Sequence, residues 1–225
     1  MVGRKLFFSH LYRILQEMKK VGLPIKRADH KFTCADYSSW PDNEHWELID
    51  GVAYNISPAP STSHQRVSRI LFSHICNFVE NRLCEPFSAP FDVYLPEFPD
   101  QDINKIDTIV QPDIIIICDS SKIFQKGCLG APDLVVEILS PSTAKKDMHE
   151  KFQLYEKHGV REYWVVDPGN KYVRVFHLQS EGIEAGKYDE GVLSPPADWR
   201  KESTIAESFM LDGFKVDTAE LFKEP

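Results

Sequence analysis

The segment LVVEIL at residues 134–139 decides the fold, together with the similar run DIIIIC at residues 113–118. Both runs are almost continuously apolar and rich in β-branched residues, which is typical of strands covered on both faces of a sheet. Glu137 interrupts the first run, and a buried carboxylate is costly unless it pairs with a cation or binds a metal ion. Asp113 begins the second run directly after Pro112, so two acids from neighbouring strands can converge on one cation. Oxygen ligands of this kind suit Mg²⁺.

Two other interpretations of Glu137 stay open at this point. One places the residue on an edge strand facing water, and the other pairs it with a basic residue in the core. Asp133, in a second Pro-Asp pair, is a poorer partner for Glu137, because four residues along one strand separate the two by about 13 Å. We expect Asp133 to serve the turn after Gly130 instead.

The patterns around these two runs predict an α/β domain, with a mixed central sheet flanked by helices. Apolar residues at helical spacing predict helices, and short apolar runs between turn residues predict strands. The predicted helices cover residues 6–21, 64–83 and 144–158, with a short one near 34–38. The predicted strands are a hairpin at 47–56 with an Asp50-Gly51 turn, and runs at 91–95, 113–118, 134–139, 162–167 and 172–178.

Composition limits the class of protein. The chain has 225 residues, of which 42% are hydrophobic, and this is enough for one folded domain. Its formal net charge is −8, from 34 acidic and 26 basic residues, which argues against a protein that coats nucleic acid but allows one local basic surface. No stretch reaches the roughly 20 apolar residues of a membrane span. We therefore expect no contact with a membrane. Five cysteines without a C-x-x-C pair predict reduced thiols and a cytoplasmic protein.

Five segments follow one another in a distinctive order: WELIDG (46–51), SPAPSTSHQ (57–65), QPDIIIIC (111–118), GAPDLVVEILSPST (130–143) and KFQLYEKHGVREYWVVDP (151–168). This series resembles the Uma-type restriction endonuclease family, a domain of unknown function within the PD-(D/E)XK nuclease superfamily, over residues 32–222. The resemblance implies a restriction-endonuclease-like core, with an N-terminal helical arm at 1–30 and a single nuclease-like domain at 31–225. It also implies an endonuclease that hydrolyses phosphodiester bonds of DNA and depends on Mg²⁺ or Mn²⁺. We expect the arm to pack on the domain or to build a homodimer or larger homo-oligomer.

The resemblance further implies the roles of individual residues. Asp113 and Glu137 would be metal ligands, and the backbone carbonyl of Ile138 would add another. Glu47 would be an outer metal ligand, and His64 would handle a proton or contact a phosphate. A histidine at a helix start is also a common capping or surface residue, and that alternative stays open.

The sequence departs from the superfamily motif at one position. The motif has lysine two residues after the glutamate, where this chain has Leu139, so a lysine on the following helix is expected to take over. The Lys151 side chain can reach Glu137, because Lys151 lies about 12 Å along that helix while Glu137 lies about 7 Å inside the end of its strand. The alternative for Lys151 is a surface ion pair with Asp147 four residues earlier. Lys145 and Lys146 are the other candidates.

These features allow two functions from different classes. The first is the metal-dependent endonuclease. The second is a catalytically inactive protein with a nuclease fold that binds nucleic acid or a protein partner, and both Leu139 and the acidic net charge favour it. If the first function holds, we expect Lys151→Ala to abolish cleavage and barely change the melting temperature.

Overall fold

The structure is a computed structural model, and it describes residues 24–25, 31–41, 44–56, 60–141, 144–181, 184–194 and 204–223. The predicted helix 6–21 lies outside these residues. The strands are β1 (Pro24–Ile25), β2 (Trp46–Ile49), β3 (Val52–Asn55), β4 (Glu85–Ser88), β5 (Asp92–Tyr94), β6 (Ile109–Val110), β7 (Ile114–Ile117), β8 (Ile123–Phe124), β9 (Gly127–Leu129), β10 (Leu134–Ile138), β11 (Glu162–Asp167), β12 (Tyr172–His177), β13 (Val192–Ser194), β14 (Ile205–Glu207) and β15 (Lys215–Asp217). The helices are α1 (Cys34–Tyr37), α2 (Thr62–Val79), α3 (Ala144–Lys146), α4 (Phe152–His158) and α5 (Thr218–Leu221), with a π-helical turn at Asp147–Lys151 and 3₁₀ turns at Ile103–Lys105 and Ser120–Lys122. No helix in the described ranges has the length and hydropathy to cross a membrane.

The chain divides into two compact units. The smaller unit comprises Met1–Ala59 and Tyr94–Val110, and the larger comprises Pro60–Val93 and Gln111–Pro225. In the smaller unit, β1, β3, β2 and β6 form an antiparallel sheet in that order. The predicted hairpin is confirmed as β2 and β3, and its turn residues Asp50 and Gly51 have φ values of 49° and 77°. The prediction of a single domain over 31–225 stays a prediction.

A six-stranded mixed sheet forms the centre of the larger unit, in the order β13-β12-β11-β10-β7-β4. Strands β10 and β11 are parallel, and the other neighbours are antiparallel. Side chains alternate between the faces of a strand. On β10, Leu134, Val136 and Ile138 therefore share one face, while Val135 and Glu137 share the other. The predicted mixed sheet is confirmed, and Glu137 lies on a central strand.

The long helix α2 covers the first of these faces. Its buried residues Val67, Leu71, Ile75 and Val79 belong to the same apolar cluster as Leu134, Val136 and Ile138. Ser61 is its N-cap, and the Ser61 side chain accepts a hydrogen bond from the backbone N–H of His64 at 3.2 Å. The helix ends at Val79 rather than near residue 83, because Asn81 adopts a left-handed φ of 65° and β4 starts soon after.

The second long helical segment covers the face that carries Glu137. It runs through α3, the π-helical turn and α4, and it ends at Gly159, whose φ of 81° suits a glycine. A π-helical turn contains one more residue than an α-helical turn, and such turns are frequent at functional sites. The sequence predicted this helix without the π-helical turn.

A disulfide between Cys84 and Cys118 corrects the prediction of reduced thiols for these two residues. Strands β4 and β7 are antiparallel neighbours, with Glu85 opposite Ile117, so Cys84 and Cys118 occupy the next pair of opposed positions. The two residues are 34 positions apart in the sequence, and only the strand pairing brings them together. Cys34, Cys76 and Cys128 are not disulfide-bonded to any described residue.

Candidate active site

Asp113 stands just before β7, opposite the end of β10. Val136 pairs with Ile114 in this antiparallel ladder, so one further step places Glu137 opposite Asp113. Side chains at directly opposed positions lie on the same face, with Cβ atoms about 5 Å apart. The Asp113 carboxylate bends toward the end of β10, where its Oδ2 accepts a hydrogen bond from the backbone N–H of Ile138 at 2.7 Å. The strand register therefore brings the two acids to the same end and the same face of the sheet.

Glu137 is buried, with only 3% of its surface exposed. Its Oε1 accepts hydrogen bonds from the Lys151 ammonium at 2.7 Å and from the Tyr155 hydroxyl at 2.6 Å. The interpretation in which Glu137 faces water from an edge strand is therefore wrong. Both remaining interpretations, a partner for a core lysine and a ligand for a metal ion, are compatible with this position.

Lys151 closes the π-helical turn and is itself 3% exposed. Its Nζ lies 2.7 Å from Oε1 of Glu137 and 3.9 Å from Oδ1 of Asp147. Lys151 thus contacts both Glu137 and Asp147, and the pair with Asp147 is buried rather than on the surface; the catalytic role of Lys151 stays a prediction. A small effect of Lys151→Ala on the melting temperature was expected for a surface ion pair. Because the pair is buried, that expectation loses its physical basis.

His64 lies in the first turn of α2 with its side chain almost completely buried. Its Nε2 is 3.1 Å from Oδ2 of Asp113, and its Nδ1 has no hydrogen-bond partner among the described residues. Burial lowers the pKa of His64, but the hydrogen bond to Asp113 and the charge of that carboxylate outweigh burial and raise it above the usual value. The alternative in which His64 is a surface residue is wrong, and its chemical role stays a prediction.

Three residues of this cluster were not singled out as site residues by the sequence: Asp147, Tyr155 and Tyr163. Asp147 is 3% exposed, and its backbone carbonyl accepts a hydrogen bond from the Tyr163 hydroxyl at 3.0 Å. Burial, together with the carboxylates of Glu137 and Asp147, raises the pKa of Tyr163 well above its usual value, so this hydroxyl stays a donor. The strand register identifies Tyr163 as part of the cluster, because Tyr163 pairs with Val135 and so shares the face of Glu137.

The cluster contains more negative than positive charge. Asp113, Glu137 and Asp147 supply three carboxylates, against the ammonium of Lys151 and the imidazole of His64. Carboxylates such as those of Asp113 and Glu137 and a backbone carbonyl such as that of Ile138 are ligand types that suit Mg²⁺, which often binds one or two carboxylates and keeps several waters. Among the described residues there is no group of three or more His, Cys, Asp and Glu side chains arranged to hold a metal ion. A cation here would therefore need oxygen atoms beyond side chains of these types, from the backbone, water or substrate.

The other residues that the sequence singled out are Glu47, Lys145, Lys146 and Asp133. Glu47 belongs to β2 of the smaller unit and is completely buried, and its role as an outer ligand stays a prediction. Lys146 is partly buried in α3, and the side chain of Lys145 lies outside the described part of the chain. Asp133 accepts a hydrogen bond from the backbone N–H of Cys118 at 2.8 Å and pairs with Arg161 at 3.3 Å, so it caps β7 rather than the turn after Gly130.

Comparison with known proteins matches one family model, and the similar proteins include one with a related sequence and one with a similar fold. The sequence model of the Uma2 family, described as "Putative restriction endonuclease", matches residues 34–210. The uncharacterized protein slr1290 of Synechocystis sp. is 26% identical over 155 residues, which cover 68% of this chain and 77% of that protein. The crystal structure of a protein from Anabaena variabilis, described as a putative nuclease of DUF820, superposes with a TM-score of 0.62. It covers 85% of this chain and 97% of its own, and at 22% identity it is similar in fold.

Proposed function

Because the chain belongs to the Uma2 family and has a restriction-endonuclease-like fold, we propose that it is a metal-dependent endonuclease that hydrolyses phosphodiester bonds of DNA. The observation that supports this function best is the excess of carboxylate at the ends of β7 and β10. Asp113 and Glu137 occupy opposed positions there, Asp147 lies near Lys151, and Lys151 pairs with Glu137. Buried charge of this kind calls for a cation.

Asp113 and Glu137 would hold Mg²⁺ or Mn²⁺ together with the carbonyl of Ile138. When bound, such a cation polarises a phosphate oxygen and lowers the pKa of its coordinated water. Tyr155 and Lys151 both donate to Oε1 of Glu137, which fixes the orientation of that carboxylate. The N–H of Ile138 does the same for Asp113.

Lys151 would supply the positive charge that Leu139 cannot. Its ammonium is held against Glu137 in a site from which most water is excluded, where an electrostatic contact with developing negative charge is strong. His64 is hydrogen-bonded to Asp113 and has a raised pKa, so it can carry a proton for the leaving oxygen or contact a phosphate oxygen. Two copies of the chain would bring two such sites to the two strands of a duplex, which is the basis for expecting a homodimer or larger homo-oligomer.

One observation favours a second candidate function, a nuclease-fold protein that binds nucleic acid or a protein partner without cutting. The Lys151–Glu137 ion pair neutralises the central carboxylate from within the protein. Isothermal titration with Mg²⁺ and Mn²⁺ separates the two functions. The endonuclease requires binding that disappears in Asp113→Asn, whereas a chain that binds neither ion supports the second candidate.

Cleavage of supercoiled plasmid DNA with Mg²⁺ or Mn²⁺ tests the proposed activity directly. We expect nicking or linearisation by the wild-type chain and at least a roughly 10²-fold loss in Asp113→Asn, which removes charge with little change of shape. Asp133→Asn is the matched control, because Asp133 also follows a proline and caps a central strand. Equal activity of wild type and Asp113→Asn would contradict the function.

A further inference from the structure

Helix α2 carries basic residues but no acidic ones. Its 18 residues contain Arg66, Arg69 and two histidines, while the whole chain has 34 acidic residues and a net charge of −8. Surface helices usually balance their charges with acids three or four residues away, and acids are favoured near a helix N-terminus. Arg66 and Arg69 lie in the first half of α2, so helix stability does not explain their charge.

A groove of about 460 Å³ lies between α2 and the C-terminal segment of the larger unit. Arg66, Arg69 and His74 line it from α2, and Glu220 and Lys223 line it from the C-terminal side. Glu220 is the one carboxylate in this lining, and it is 61% exposed at 3.5 Å from Nε2 of His74. Three permanent cations thus face a single carboxylate.

The cations of the groove have no partners in the described part of the chain. The side chains of Arg66, Arg69 and Lys223 make no hydrogen bond or ion pair with any described residue. Several other basic residues of the larger unit do have acceptors: Lys122, Lys151, Arg161, Arg174, Lys187 and Lys215. Unpaired cations gathered at one groove of an acidic protein suit an anionic ligand.

The position along α2 links this groove to the candidate active site. Arg66 lies two residues after His64, a rise of about 3 Å along the helix, and Arg69 lies five residues after His64, a rise of about 7.5 Å. Side chains of a helix point back toward its N-terminus, so both guanidinium groups lean toward the end where His64 meets Asp113. His64 faces the core and Arg69 faces solvent, so a ligand that reaches both must pass around the N-terminal end of α2.

We propose that this groove binds the phosphate backbone of nucleic acid next to the scissile phosphate, with Arg66, Arg69 and Lys223 as the contacts. This inference rests on the proposed function and adds the surface through which an acidic chain holds its substrate. Phosphates follow one another about every 3.4 Å of duplex axis on each strand, so a strand bound at the active site presents several more within reach. Guanidinium groups suit phosphate because their planar N–H donors bind two of its oxygens at once.

The test measures binding without cleavage, by fluorescence anisotropy of a short labelled DNA duplex in EDTA over a range of salt concentrations. We expect Arg66→Ala/Arg69→Ala to bind at least about tenfold more weakly than wild type. The slope of log K against log[salt] should fall by about 2, since each lost phosphate contact removes about 0.9. Lys126→Ala/Lys171→Ala is the charge-matched control, because both lysines are exposed in the larger unit and neither lines the groove.

Unchanged affinity and salt slope in Arg66→Ala/Arg69→Ala would overturn the inference, and so would a wild-type chain that binds no duplex. An equal loss in the lysine control would also overturn it, because binding would then follow net charge alone. Arg69→Glu, a single change at an exposed position, tests the same groove with little effect on folding and should also weaken binding. If wild type binds through the groove but shows no metal-dependent cleavage, the proposed endonuclease fails while the groove assignment stands.

Discussion

Two donors meet on a single oxygen of Glu137, and this arrangement determines how substitutions at the site behave. Lys151 supplies an ammonium and Tyr155 a neutral hydroxyl, both at hydrogen-bond distance from Oε1. In a buried site the loss of one partner leaves the other charge without compensation. Each substitution here therefore changes stability as well as chemistry, and the two effects need separate measurement.

Lys151→Met should abolish cleavage and also lower the free energy of unfolding. The loss of one electrostatic group typically costs about 10²–10³ in rate. Breaking a buried ion pair costs about 3–5 kcal/mol, so the small change of melting temperature expected from the sequence no longer applies. Plasmid cleavage and chemical denaturation measure the two effects.

The double variant Lys151→Met/Glu137→Gln separates folding from function for the same residue. It removes both charges, so most of the lost stability should return while cleavage stays absent. Lys146→Met, on the same helical segment but only partly buried, is the control. Full activity of folded Lys151→Met, with loss of activity in Lys146→Met, would move the role to α3.

Tyr155→Phe should weaken the site without disturbing the packing around it. The ring keeps its edge contact with Tyr163, at 5.1 Å between centroids, and the hydrogen bond to Glu137 is lost. A hydrogen bond to a charged group is worth about 1.5–3 kcal/mol, and we expect cleavage to fall as well. Tyr188→Phe is the matched control, because its buried hydroxyl donates to the neutral carbonyl of Val160. It should cost about 0.5–1.5 kcal/mol and leave the cleavage rate unchanged. An equal cleavage rate in Tyr155→Phe and wild type would contradict a positioning role for Tyr155.

At the residue scale, the sequence predicted the parts of the site that stand out against an apolar background. Asp113 and Glu137 were found because charges interrupt or begin apolar runs, and Lys151 because helix geometry gave it the reach. The burial of Asp147 and the hydroxyl contact of Tyr155 were not found, since both depend on the π-helical turn. The disulfide between Cys84 and Cys118 depends on strand order, which the spacing of cysteines does not encode.

At the scale of secondary structure, long and strongly patterned elements were predicted well. Strand β11 was predicted with its observed bounds, and α2 was predicted at 64–83 where the structure has Thr62–Val79. The short strands β4, β8 and β9 were not predicted, because two to four residues carry no periodic signal. The π-helical turn leaves apolar spacing almost unchanged, so the sequence predicted an ordinary helix there.

Removal of the cap of α2 tests whether the start of this helix is held as described. Ser61→Ala removes the acceptor of the His64 N–H, and we expect a loss of about 0.5–2 kcal/mol in the free energy of unfolding. Because His64 also contacts Asp113, the cleavage rate should fall more than stability alone explains. Ser73→Ala, at an exposed position inside the same helix, should change stability by less than about 0.5 kcal/mol. Equal stability of the two variants would contradict the capping role.

At the scale of the whole molecule, the distribution of charge matters more than its sum. The net charge of −8 argues against general affinity for nucleic acid, yet α2 and the C-terminal segment gather at one groove cations that pair with no residue the structure describes. Sequence composition predicts the net charge but not the cluster of cations, because the groove joins residues about 150 positions apart. A family assignment alone does not locate such a surface.

The N-terminal arm provides a prediction at the same scale. Its apolar stripe at 6–21 has helical spacing, so we expect it to pack on the protein or to join two copies. A chain that begins at Ala28 should therefore lose thermal stability or shift to a smaller oligomer in size-exclusion chromatography with light scattering. Unchanged stability together with an unchanged mass would contradict this prediction.

The disulfide between Cys84 and Cys118 also determines what happens when the backbone is cut. The chain leaves the larger unit after Val93 and returns at Gln111, so the whole excursion through the smaller unit lies inside the covalent loop. A protease site engineered into the exposed stretch 97–100 would give two fragments that remain tethered. We expect one band at full mass on a non-reducing gel and two smaller bands after dithiothreitol, whereas two bands without reductant would show that the link is absent.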